Sequence, residues 1–163
     1  MALVTLFTDA SFSHKHNRGT WAARAKHKGA TMRRSGIIKA TLPNSDVAEL
    51  SAIANGLVCV KQTWAEAGSK IIIQTDSRNA INAINGGKYG FAAMEPILAF
   101  IMSVVIDMDW TLDLHHVKGH KGTATRRNAV NTFCDAECRR QMALLLSQLQ
   151  PKLTLVVDNE EAA

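Results

Sequence analysis

Two aspartates stand at the ends of two similar apolar runs. Leu3-Val4-Thr5-Leu6-Phe7-Thr8 leads into Asp9-Ala10-Ser11, and Ile71-Ile72-Ile73-Gln74-Thr75 leads into Asp76-Ser77. Runs this apolar read as buried central strands. Aspartate is a poor strand residue and is seldom buried without a partner. If the two strands are parallel neighbours, about 4.8 Å apart, the carboxylates emerge side by side at the carboxyl edge of the sheet, where α/β proteins place ligands. Two such charges repel, so the pair must hold a proton or a cation. An all-carboxylate donor set suits a hard cation such as Mg2+. The alternative use of each aspartate is to cap the turn that follows it.

Three further groups could take part. Glu49 follows Asp46 by three residues at the start of a helical pattern, which on its own reads as a capping box. Asp135, beside Phe133 and Cys134, falls on a helix where a solvated face is the ordinary place for an acid. His120 follows Val117-Lys118-Gly119 at the end of an apolar strand, a position suited to proton transfer as well as to simple exposure. Around it cluster Lys118, Lys121, Arg126 and Arg127, while Lys26, Lys28, Arg33 and Arg34 bracket a hairpin. Together these cations suit a groove for a polyanion. His115 and His116 are neighbours on a strand and face opposite ways, so they do not chelate together. Cys134 and Cys138, four apart on a helix, read as small core residues.

The elements that must position these groups follow from pattern. After the first strand, Phe12 to Gly19 reads as a polar turn, Thr20 to His27 as a second strand, Lys28-Gly29 as a tight turn and Thr31 to Leu42 as a third strand. Short turns make these an antiparallel meander. Pro43-Asn44-Ser45-Asp46 stops the chain and starts a helix expected to run to Ala67 and end at Gly68. A fourth strand spans Lys70 to Asp76, and a short helix spans Ser77 to Asn85. A helix then opens at Glu95-Pro96, with proline in its first turn. A fifth strand spans Trp110 to Val117, a basic loop Lys118 to Arg127, and a last helix Asn128 to Gln148. The order β-β-β-α-β-α-α-β-α gives an α/β fold. Its sheet is mixed and five-stranded, three antiparallel strands first and then two parallel, with helices on both faces.

Bulk properties narrow the class. At 163 residues, 47% hydrophobic and 20% charged, the chain fits one globular domain. That domain is expected over residues 1–150, with 151–163 as a C-terminal tail that frays or adds a strand. The net charge of +5 and pI near 9.3 are compatible with a polyanionic partner. Three cysteines without a CxxC pair point to a reduced, cytoplasmic setting. No cationic segment followed by an apolar one marks a signal peptide. The most apolar stretch, Phe91 to Ile106, is too short and too broken by Glu95, Pro96 and Ser103 to span a bilayer.

With these positions assembled, the chain resembles the type 1 ribonuclease H family. The resemblance rests on Phe7-Thr8-Asp9-Ala10-Ser11, Ala48-Glu49-Leu50, Gln74-Thr75-Asp76-Ser77-Arg78, Val117-Lys118-Gly119-His120 and Asn131-Thr132-Phe133-Cys134-Asp135. The five motifs occur in the family's order. The resemblance implies a ribonuclease H-like fold and a metal-binding set of Asp9, Glu49, Asp76 and Asp135, with His120 as a mobile catalytic helper. It implies two Mg2+ ions, for which Mn2+ can substitute. Asp9 would bridge them, Asp135 completing one site and Glu49 with Asp76 the other. One ion would activate the attacking water and one would stabilise the leaving 3′-oxygen, giving 5′-phosphate products.

The implied substrate is the RNA strand of an RNA–DNA hybrid, told from DNA by its 2′-hydroxyls. Candidate contacts are Ser11, Ser13 and Asn17 in the first turn, Asn44 and Ser45 before the first helix, and Ser77 and Arg78 after Asp76. Lys118, Lys121, Arg126 and Arg127 join them from the basic loop. The chain departs from the family in three places. Ser45-Asp46-Val47 stand where an amide-bearing residue is usual, the first turn carries His14, Lys15 and His16 instead of glycines, and no basic protrusion follows Asp76.

Two other classes share part of this pattern. A nuclease of the same fold acting on branched or duplex DNA would use the same acids, and a non-catalytic hybrid-binding protein would use the same cations. A proofreading-type exonuclease usually carries Asp-x-Glu on its first strand, whereas here Asp9 is followed by Ala10-Ser11. A phosphoacceptor domain alternates strand and helix from the start, which three opening strands contradict. No membrane and no obligatory protein partner are expected, and the chain is expected to act as a monomer.

Overall fold

The computed structural model describes residues 1–117 and 126–149, the side chains of 126–131 excepted. Five strands form one sheet in the order β3-β2-β1-β4-β5. They are β1 (Leu3–Ser13), β2 (Arg18–His27), β3 (Ala30–Ile38), β4 (Lys70–Thr75) and β5 (Thr111–His116). The antiparallel pairs run from Val4↔His27 to Ser13↔Arg18 and from Gly19↔Ile38 to His27↔Ala30. The parallel pairs run from Leu3↔Lys70 to Phe7↔Gln74 and from Lys70↔Thr111 to Thr75↔His116. This is the expected mixed sheet. Lys28 and Gly29 both take positive φ, 46° and 83°, the geometry that closes a two-residue hairpin without splaying its strands.

Among the described residues there are four helices: α1 (Ser45–Trp64), α2 (Arg78–Ile84), α3 (Glu95–Asp107) and α4 (Arg126–Leu149). A single 3-10 turn, Ala92–Met94, leads into α3. The main core lies between the sheet and α1 with α3, built on Leu6, Leu50, Ile53, Leu57, Ile71 and Ile73, all fully buried. On the other face α4 lies over β1, β2 and β3, with a smaller cluster of Phe7, Ala22, Cys134 and Cys138 beneath it. At Gly56 α1 comes close against β1. A Cβ there would sit 3.0 Å from Thr8 Cγ2 and 3.2 Å from both Leu6 methyls. The glycine therefore sets the depth at which α1, and Glu49 with it, rests on the strand carrying Asp9.

Several boundaries differ from expectation. β1 does not stop near Asp9. Pairing with β2 carries it to Ser13, so the turn shrinks to His14–Asn17, where Asn17 takes φ 50°. Asp9 is an interior strand residue whose neighbour on the β4 side has ended. Asn44, not Asp46, caps α1, its Oδ1 accepting from Val47 N at 3.0 Å. The capping-box reading of Glu49 thus fails, and its side chain is left for other use. α1 stops at Trp64 because Ala65 turns left-handed at φ 44°, its N–H bonding to the Lys61 carbonyl. Arg126 and Arg127, expected in a loop, begin α4. No described helix is long and apolar enough to cross a membrane. The expected tail, 151–163, lies outside the described residues.

Candidate active site

The β1–β4 register ends at Phe7↔Gln74. Carried two residues on, it sets Asp9 level with Asp76, just past the end of β4. Phe7, Asp9 and Gln74 share one side of the sheet, because side chains alternate along a strand, and Asp76 follows in the bend beyond β4. Glu49 reaches the same edge from the first turns of α1. One carboxylate oxygen from each of Asp9, Glu49 and Asp76 lies within 4.8 Å of the other two. The pair expected from the strands is present, and the helical glutamate completes a trio.

Electrostatics show the strain of that arrangement. Asp9 is only 8% exposed. Burial, then the charge of Asp76, pushes its carboxyl up to about 7; the charge of Asp135 adds to this, while the Ala10 N–H and Arg139 oppose it. That N–H donates to Asp9 Oδ1 at 2.9 Å. Glu49 is held well above the ordinary carboxylate range, first by burial and then by Asp9 and Asp76. Its Oε2 is buried and has no hydrogen-bond partner. A buried, unpartnered carboxylate oxygen facing two more carboxylates is an arrangement that a divalent cation would relieve. The donors are oxygen alone, which fits a hard ion such as Mg2+ or Mn2+.

Asp135, on α4, stands apart from the trio. Arg139 grips both its oxygens, at 3.1 Å through Nε and 3.0 Å through a terminal nitrogen, the helical i, i+4 pairing. Its charge is nonetheless felt at Asp9. His120, Lys118 and Lys121 lie outside the described residues, as do the side chains of Arg126 and Arg127.

The expected substrate contacts divide by what already holds them. Ser11 and Ser13 are half-buried on β1 beyond Asp9, and Asn17 is exposed in the turn. Asn44 spends its oxygen on capping α1, but its Nδ2 is buried with no partner. Ser45 is exposed at the start of α1. Ser77 caps α2, accepting from Ala80 N at 3.1 Å, and Arg78 beside it is exposed. Of the hairpin cations, Lys26 and Lys28 do not gather here. His27 pairs with Val4, so Lys26 and Lys28 sit at the sheet edge opposite Asp9, and Lys28 is bound to Glu66 at 2.6 Å. Arg33 lies over the Phe133 ring, 5.6 Å from its centre.

Three contacts around the acids have no counterpart in the sequence reading. Cys138 Sγ donates to the Asp9 carbonyl at 3.1 Å. His116 Nε2 donates to the Asp76 carbonyl at 3.1 Å. Asn79 Nδ2 donates to Asp46 Oδ2 at 3.0 Å, tying α2 to the first turn of α1. The spacing of Asp135 and Arg139 was a legible signal for the ion pair; the other contacts join distant parts of the chain.

The RNase H family model matches residues 1–143. No curated protein matches the chain. Among solved structures, the chain is similar to the N-terminal RNase H domain of a Mycobacterium tuberculosis protein, at 14% identity and TM-score 0.72, covering 92% of this chain and 100% of that one. RNase H1 of the halophilic archaeon Halobacterium salinarum aligns at 13% identity and TM-score 0.68, over 86% of this chain and 98% of that one. LC11-RNase H1, solved in complex with an RNA/DNA hybrid, aligns at 14% identity and TM-score 0.72, over 88% and 99%.

Proposed function

The chain belongs to the RNase H family, and from that premise we propose that it hydrolyses the RNA strand of RNA–DNA hybrids endonucleolytically. The observation that carries this reading is the trio Asp9, Glu49 and Asp76, with oxygens within 4.8 Å, on a sheet of the family's topology. The solved relative bound to an RNA/DNA hybrid supports the same substrate class. Asp9, Glu49 and Asp76 would hold divalent cations, with Asp135 joining them once it leaves Arg139. Two Mg2+ ions, or Mn2+ in their place, would supply Lewis-acid activation of water and charge stabilisation at the leaving 3′-oxygen, giving 5′-phosphate ends.

The chain's own residues do the rest. Asp9, fixed on a central strand, is the rigid reference point for the other acids. Ser11, Ser13, Asn17, Asn44, Ser45, Ser77 and Arg78 lie on the elements flanking the acids and are the candidates for ribose and phosphate contact. The unpartnered Nδ2 of Asn44 is a donor available to a 2′-hydroxyl oxygen. His120 would carry protons at the leaving group, and Lys118, Lys121, Arg126 and Arg127 would meet the phosphate backbone. The protein would act as a monomer in the cytoplasm, where its three free cysteines stay reduced. The test is cleavage of a labelled hybrid by the purified chain in Mg2+ and in Mn2+, beside Asp9→Asn. A four-way DNA junction serves as the competing substrate. Cutting of the junction with the hybrid intact would overturn the proposal in favour of a DNA nuclease of the same fold.

A further inference from the structure

The helix carrying Asp135 meets the strand carrying Asp9 through two thiols. Cys134 Sγ lies 4.0 Å from the Phe7 carbonyl oxygen, and Cys138 Sγ donates to the Asp9 carbonyl at 3.1 Å. Cys138 is fastened from its other end as well. Thr20 Oγ1, on β2, donates to the Cys138 carbonyl at 2.9 Å, and Thr20 is fully buried. One residue of α4 is therefore tied to two adjacent strands at the level of the acids.

Both thiols are inert donors. Burial pushes Cys134 up to about 12 and holds Cys138 far above the ordinary thiol range, so neither is a nucleophile. Cys138 is 1% exposed and closed to reagents in solution. Its place in the helix gives it consequence. It lies three residues after Asp135, on the same side of α4, so a shift of Cys138 along or away from β1 carries Asp135 with it. Asp135 is the acid that stands outside the trio, and its distance from Asp9 is the dimension the fold has still to set.

We propose that Cys138 is a positioning residue: seated on the Asp9 carbonyl and anchored through Thr20, it fixes the separation of Asp9 from Asp135 and so tunes how tightly the acids take a divalent cation. This rests on the reading of the acids as a cation site. A residue that merely filled space would affect stability alone, whereas a positioning residue alters cation affinity in protein that remains folded.

The test is Mn2+ titration of the full chain without nucleic acid, followed by the paramagnetic resonance of free Mn2+, on wild type, Cys138→Ala, Cys138→Ser and Leu145→Ala. Leu145 is buried on the same helix, two turns further on, and supplies a destabilised control. Where the Cys138 hydrogen bond is spent on holding Asp135 in place for the cation, its loss weakens Mn2+ binding about threefold to tenfold in Cys138→Ala. Cys138→Ser, which keeps a donor, stays within about twofold of wild type, and Leu145→Ala binds as wild type despite its lower melting temperature. In hybrid cleavage, Cys138→Ala needs more Mg2+ for half-maximal rate but recovers at saturation. Unchanged Mn2+ affinity in Cys138→Ala, equal weakening in Leu145→Ala, or no rescue by serine overturns the positioning role while leaving the cation site intact. Absence of Mn2+ binding by wild type overturns the cation site itself, and the positioning role with it.

Discussion

Asp9→Asn should make the metal-free protein more stable, not less, and only above a particular pH. In the unfolded chain the Asp9 carboxyl titrates at its ordinary value of 3.8, while in the folded chain burial and the charge of Asp76 hold it at about 7. Between those values the folded chain keeps a proton that the unfolded chain has lost. Stability therefore falls as pH rises through that window, and the whole penalty stands above about pH 7. At about 1.4 kcal/mol for each tenfold change in the equilibrium, the penalty approaches about 4 kcal/mol. Burying an asparagine amide in the carboxyl's place costs part of this relief, so the net gain for Asp9→Asn is about 2–4 kcal/mol at pH 8. For a chain of 163 residues that raises the melting temperature by about 5–15 °C. At pH 4 the two proteins should melt together. The assay is thermal and urea unfolding in EDTA across pH 4–8, repeated with Mg2+. Added Mg2+ should stabilise wild type and leave Asp9→Asn unmoved. A variant no more stable than wild type at pH 8, or a difference that does not change with pH, would refute the claim that these acids are held against one another's charge.

Other expectations follow from single contacts. Asn44→Ala removes the cap of α1 and should lower stability by about 1 kcal/mol in urea unfolding, whereas Asn44→Asp keeps the cap and should preserve stability while losing the free Nδ2 donor and raising KM for the hybrid. Arg139→Gln should change stability by less than about 0.5 kcal/mol, as expected for an exposed i, i+4 pair. By releasing Asp135 and removing a positive charge, it should also tighten Mn2+ binding measured calorimetrically. Gly56→Val drives a branched side chain into Thr8 and Leu6 and should lower stability by roughly 2–3 kcal/mol. Lifting α1 also moves Glu49, so cleavage should need more Mg2+.

Much of the site is legible in the sequence. Asp9 and Asp76 betrayed themselves because a charged residue has no business ending an apolar strand unless something answers it, and parallel register then sets the two level. Glu49 was obscured by a legitimate local use: Asp46 three residues earlier mimics a capping box, and only the position of Asn44 shows that the cap lies elsewhere. Two of the hairpin cations lie elsewhere for a different reason. An antiparallel return carries the chain back to the edge where it began, so Lys26 and Lys28 end up across the sheet from Asp9. Cys138 looked like a small core residue and is one, but its hydrogen bond to Asp9 spans 129 positions, a separation at which local patterns carry no information. The length of β1 beyond Asp9 was likewise set by its partner β2, not by its own polar residues.

On the proposed reading, these acids, on this fold, cut RNA paired to DNA. A hybrid with fluorescent labels of different colour on its two strands, incubated with the purified chain in Mg2+, tests it most directly. The expected result is internal cuts in the RNA strand, products with 5′-phosphates, an intact DNA strand, and no cutting in EDTA or by Asp9→Asn. An uncut hybrid in both Mg2+ and Mn2+, or cleavage by Asp9→Asn at the wild-type rate, would contradict it.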